Sequence, residues 1–131
     1  MRIPQVIMGI GLVVLVVLLL TPQRRPPNYD VAAQVTVQGV VNEVQEFYCP
    51  ISGDVGTHLN VATTNGVVEV HVAPTRFLRG EEWQFAPGDQ IEVTGSQVLF
   101  HGHPALIAQS IVRGNQTVAL RRADGRPMWK E

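Results

Sequence analysis

From Val31 onward, apolar and polar residues alternate with a period of two: Val35, Val37, Val41 and Val44 interleave with Thr36, Gln38, Asn42 and Glu43. Successive side chains of a β-strand point to opposite faces, so the alternation predicts a strand with one face in a core and one in water. Gly39 interrupts it, and a glycine inside a strand commonly marks a bulge or bend. The first strand is therefore expected to be long and bent, as a small closed barrel requires. A loop running from Tyr48 through Cys49, Pro50 and Gly53 to Gly56 is expected to end it.

The strongest local signal is Asn65-Gly66 between alternating apolar runs, the signature of a two-residue type I′ hairpin turn. With Asn65 and Gly66 as the loop, Thr64 faces Val67, Ala62 faces Glu69, Asn60 faces His71 and His58 faces Ala73. Leu59, Val61, Thr63, Val68, Val70 and Val72 then form the core face. His58, Asn60, Glu69 and His71 form the outward one.

Thr75 to Trp83, with Phe77, Leu78 and Trp83, reads as a short helix or turn limited by Gly80. After a turn at Pro87-Gly88-Asp89, Ile91, Val93 and Val98 give a fourth strand with a second bend at Gly95, and Ala105 to Val112 gives a fifth. Phe100-His101-Gly102-His103-Pro104 connects them. Gln116 to Arg121 and Arg126 to Trp129, around Asp124-Gly125, read as a C-terminal hairpin able to cover a barrel end with Trp129. Leu59, Val61, Val70, Val93 and Ile107 are predicted core. The expected fold is all-β: a five-stranded OB-type β-barrel with a helical turn between strands three and four and a C-terminal hairpin.

Ahead of the barrel, Val6 to Leu20 contains no charged or polar side chain. Those fifteen residues lie between a signal-peptide core and a full membrane span. Small residues in a cleavage pattern are missing after Leu20, so retention as one N-terminal transmembrane helix is expected. The division is residues 1–22 as membrane anchor or uncleaved signal, 23–30 as a proline-rich linker, and 31–131 as the barrel domain. A short tail before a single apolar helix is the usual signal-anchor arrangement, which places the domain in the periplasm or outside the cytoplasm.

Charge changes the picture of partners. From Asp30 onward there are seven basic and eleven acidic residues, a net charge of about −4. Nucleic-acid binding neutralises phosphates and leaves a basic footprint, so this partner is disfavoured. The single cysteine, Cys49, cannot form an internal disulfide; it is buried and inert, oxidised or paired between chains, or a metal ligand.

Gly39 in a long first strand, the run from Gly88 to Ser96 and the run from Ala105 to Ile111 resemble bacterial exported OB-fold domains over most of residues 34–113. That resemblance implies the fold and an envelope location. A distant resemblance to the anchored periplasmic haem chaperone of cytochrome c maturation rests on an N-terminal helix ahead of a barrel and on Pro74 to Gly80 followed by Phe85 and Gly88. That family attaches haem through a C-terminal His-x-x-x-Tyr motif, which has no counterpart here because Tyr48 is the last tyrosine.

OB domains bind with strands two and three and with the loops joining strands one to two and four to five. Those places hold every histidine and the cysteine. His58, His71, Cys49, His101 and His103 are the candidate metal ligands, since imidazole and thiolate suit zinc and copper. Phe47, Tyr48 and Phe100, with Asn60 and Glu69, are the candidate ligand-binding surface: an aromatic platform, or residues closing a barrel mouth. No serine elbow, phosphate loop or partnered carboxylate pair supports an enzyme. The expected function is a non-enzymatic, membrane-anchored binding or accessory module that recruits a protein or small ligand. The alternatives are metal, haem or redox-cofactor handling through His58 and His71, and single-stranded nucleic-acid binding.

Overall fold

The computed structural model describes residues 27–130; the expected N-terminal membrane helix lies outside them. Among the described residues no helix is long and apolar enough to cross a membrane. A short 3₁₀ turn, Val31–Ala33, leads into β1 (Gln34–Cys49), β2 (Asp54–Thr63), β3 (Gly66–Pro74), helix α1 (Thr75–Gly80), β4 (Gln90–Phe100), β5 (His103–Arg113) and β6 (Gln116–Ala119).

The strands hydrogen-bond in the order β3-β2-β1-β4-β5-β6, and β3 also pairs with β5 in parallel. That last pairing closes five strands into a ring and leaves β6 on its outside, against β5. Five strands with a helix after the third make an OB-like barrel. The five-stranded ring and the helix after the third strand are thus present as expected, and the expected extra strand from Gln116 pairs with β5.

Closure depends on β1 serving two partners. Its first half pairs with β4 and its second with β2, Val40 standing opposite both Gln90 and Ala62, with a bulge between Val41 and Glu43. Gly39 is required there: a Cβ would come to 2.5 Å from the Ala62 carbonyl oxygen. Gly95 is pressed in the same way against the Ile107 carbonyl, beside a bulge between Thr94 and Gly95. Both glycines therefore mark the predicted bends, for reasons of close strand approach.

The barrel interior is filled from every strand of the ring, with Val41, Leu59, Val61, Val70, Val93 and Ile111 almost fully buried. Leu78 of α1 and the C-terminal Trp129 pack onto this core. All five predicted core residues are buried, although Ile107 falls outside the main core cluster.

Four details differ from the sequence reading. The β2–β3 register pairs Thr63 with Gly66, Asn60 with Glu69 and His58 with His71. Thr64 and Asn65 form the turn, and Gly66, at φ 112°, opens β3. The shift is even-numbered, so the core face survives while the cross-strand partners change. β1 continues through Phe47 and Tyr48 to Cys49, placing these three on a strand rather than in a loop, because β2 starts early enough to pair with them. His103 belongs to β5, leaving only His101 and Gly102 as the β4–β5 turn, both at positive φ. Lastly, Gln116–Ala119 pairs with β5, and the expected C-terminal hairpin is reduced to one bridge between Arg121 and Pro127.

Candidate metal centre

The sequence pattern sends His58 and His71 outward, opposite the core face of Leu59 and Val70. The structure corrects their exposure: they are 1% and 3% exposed, and Cys49 is 4% exposed. Alternation does turn them away from the barrel interior, but that side of the sheet is covered here. The extended end of β1 brings Phe47 over His58, the end of β4 brings Phe100 against His71, and the parallel β3–β5 pair sets Ile107 directly beside His71.

Each side chain is positioned by strand register. His58 and His71 stand opposite one another, with ring centroids 4.6 Å apart and planes at 85°. Cys49, at the last position of β1, reaches the same point because Gly56 lies between it and His58. A Cβ at Gly56 would meet Cys49 Cβ at 3.2 Å and His58 Cε1 at 3.5 Å. Cys49 Sγ and His71 Nδ1 are 3.5 Å apart, in weak hydrogen-bond contact. One ligand atom from each of Cys49, His58 and His71 lies within 4.8 Å of the others.

Around these atoms is a cavity of about 10 Å³, lined also by Ser52, Arg121 and Trp129. That is room for a single water-sized sphere, enough for a monatomic ion. The polar atoms facing it are poorly satisfied. Neither ring nitrogen of His58 has a hydrogen-bond partner, and Ser52 Oγ has none. A buried polar group without a partner costs about 1–3 kcal/mol, which makes two unpaired imidazole nitrogens an observation that calls for a ligand.

The far nitrogen of His71 completes the geometry. Its Nε2 lies 3.4 Å from Glu69 Oε1, in ion-pair range but without hydrogen-bond alignment. A carboxylate on the outer nitrogen favours the proton there and leaves the Nδ1 lone pair facing Cys49, as in carboxylate-histidine-metal triads. Desolvation by burial lowers the pKa of both imidazoles to about 4; for His71 the neighbouring His58 and His101 add to the shift, and for His58 a polar backbone contact at Gly56, outside hydrogen-bonding geometry, opposes it. Both rings are therefore neutral at neutral pH, the form that binds metals.

The remaining predicted site residues divide around this cluster. Phe47 stacks on His58 with centroids 3.8 Å apart, and Phe100 meets His71 edge-on at 4.6 Å, so two members of the aromatic platform serve as walls of the histidine pair. Tyr48 is exposed. Asn60 donates to Glu43 on β1. His101 packs on Phe100 outside the cluster, and the exposed His103 does not enter it. Sequence reasoning missed Gly56, whose clearance role shows only once β1 and β2 are in register, and Arg121; it expected Trp129 over a barrel end but not at this cavity.

Fold and site together define an OB-like barrel with a buried cysteine-histidine cluster on one flank. A sequence profile of the MamS/MamX magnetosome protein family matches residues 33–118, and the chain belongs to that family. Among curated proteins none matches the sequence. Of solved structures, a chain in the crystal structure of the S. pombe Stn1-ten1 complex is similar at 18% identity and a TM-score of 0.47, over 63% of this chain and 59% of that one.

Proposed function

We propose that this chain is a non-catalytic accessory protein of the bacterial magnetosome whose barrel holds one transition-metal ion between Cys49, His58 and His71. The observation that carries the reading is the convergence of three buried ligand atoms within 4.8 Å, two of them on imidazoles, with His58 unpartnered at both nitrogens. Three protein donors of this kind suit zinc or copper. The family to which the chain belongs supports the magnetosome setting. The apolar run from Val6 to Leu20 supports attachment to a membrane, with the barrel on its extracytoplasmic side.

The test is metal content. The full chain, purified in mild detergent, is loaded separately with zinc and copper, passed through a desalting column and analysed by elemental mass spectrometry. One ion per chain is expected, reduced to background in a Cys49→Ser/His71→Gln variant that keeps its circular dichroism. Retention of neither metal by the folded wild-type chain would sink the proposal.

A second reading, docking of a partner protein, is favoured by Tyr48 and Val55, which face each other across β1 and β2 and are 64% and 49% exposed. A photocrosslinking residue placed at Tyr48 in cells tests it; no adduct would remove it.

A further inference from the structure

We propose that the ion suited to the Cys49, His58 and His71 site is monovalent copper rather than zinc. This rests on the metal-site reading above and adds the identity of its ligand.

Donor number is the first argument. Among the described residues the cluster contains one sulfur and two imidazoles, with no carboxylate and no fourth histidine or cysteine. Zinc in proteins is almost always four-coordinate and takes a water where the protein supplies three ligands. Here the space is about 10 Å³, lined by Ile107 and Trp129 beside the ligand residues, with Phe47 and Phe100 packed on the two imidazole rings. Room for one water-sized sphere does not hold an ion together with a bound water unless a lining side chain moves. Monovalent copper is a soft d¹⁰ ion that is satisfied by two or three ligands and prefers thiolate.

Charge is the second argument, independent of the first. One thiolate and two neutral imidazoles carry a single negative charge. A monovalent ion makes the buried unit neutral, whereas a divalent one leaves a net positive charge in an apolar surround, where an uncompensated charge is costly. Glu69 lies outside the ligand cluster, behind His71; it is one-third exposed and offsets the charge from a solvated position. Ser52 Oγ is a neutral oxygen, a poor ligand for a soft ion and unable to balance a dication.

The full chain in mild detergent would be titrated anaerobically with copper(I) against a chromophoric copper(I) chelator, and separately with zinc against a zinc indicator. Copper(I) is expected to bind one per chain and roughly a hundredfold or more tighter than zinc. X-ray absorption of the copper-loaded wild-type protein, which needs no variant, should show one sulfur and two imidazole nitrogens. A Cys49→Ser chain should lose copper(I) affinity far more than zinc affinity. Zinc binding as tight as copper(I), or a four-coordinate zinc with an oxygen ligand, would overturn the copper assignment while leaving a metal site in place. Failure of both metals to bind would instead overturn the metal reading itself.

Discussion

His58 and His71 face each other across the β2–β3 pair, edge to face at 4.6 Å, both almost completely buried on the side of the sheet turned away from the barrel core. Buried imidazoles that stay neutral make stability depend on pH. Their folded pKa is about 4 against an ordinary 6.5. Between those values the unfolded chain binds protons that the folded chain does not, so stability falls as the pH drops through that window.

In metal-stripped protein, urea midpoints at pH 7 and pH 5 should therefore differ, with a loss of roughly 2 kcal/mol per histidine. A His58→Gln/His71→Gln variant should show a much flatter dependence. Equal slopes in the two proteins would mean that the imidazoles are not desolvated as described.

Phe100 separates His71 from the exposed end of the β4–β5 hairpin, packing on His71 on one side and on His101 on the other. Phe100→Ala should cost only about 1–2 kcal/mol, because the ring is half-buried. It should also open the cluster to water. Stopped-flow extraction of bound metal by a chelator is expected to speed up several-fold; an unchanged rate would remove Phe100 as the barrier.

The corrected hairpin register is open to direct measurement. In a Cys49→Ser background, cysteines at Asn60 and Glu69 should form a disulfide on mild oxidation, whereas cysteines at Asn60 and His71 should not. The opposite result would restore the register with Asn65 and Gly66 as the loop.

Strand closure should be intolerant of side chains at Gly95, where a Cβ would run into the Ile107 carbonyl. Gly95→Ala is expected to destabilise the barrel by more than about 2 kcal/mol in urea melts. Val67→Ala, on an exposed position of β3, should change stability by less than about 0.5 kcal/mol. Similar effects of the two changes would argue against the close β4–β5 approach.

Much of the barrel was legible from alternation, turn residues and glycines. Period-two runs identify strands because side-chain direction is a local property of extended backbone, so Leu59, Val61, Val70 and Val93 were found as core without any partner strand in view. Gly39 and Gly95 were legible as bends for the same reason. The exact turn was not: Thr64-Asn65 and Asn65-Gly66 differ by a single step along the chain, and the choice rests on packing against β1 and β5 rather than on turn chemistry alone.

The site divides along the same line. Sequence by itself marked Cys49, His58 and His71 as ligand chemistry and set both histidines opposite the core face, because residue type and alternation are local. Their burial and their meeting were decided by tertiary structure. β1 had to run on to Cys49, Gly56 had to leave room for the thiol, and Phe47 and Phe100 had to arrive from separate segments to cover the two imidazoles. Whether a polar face becomes surface or a closed cavity depends on what long-range contacts lay over it, and no local pattern in a strand encodes that.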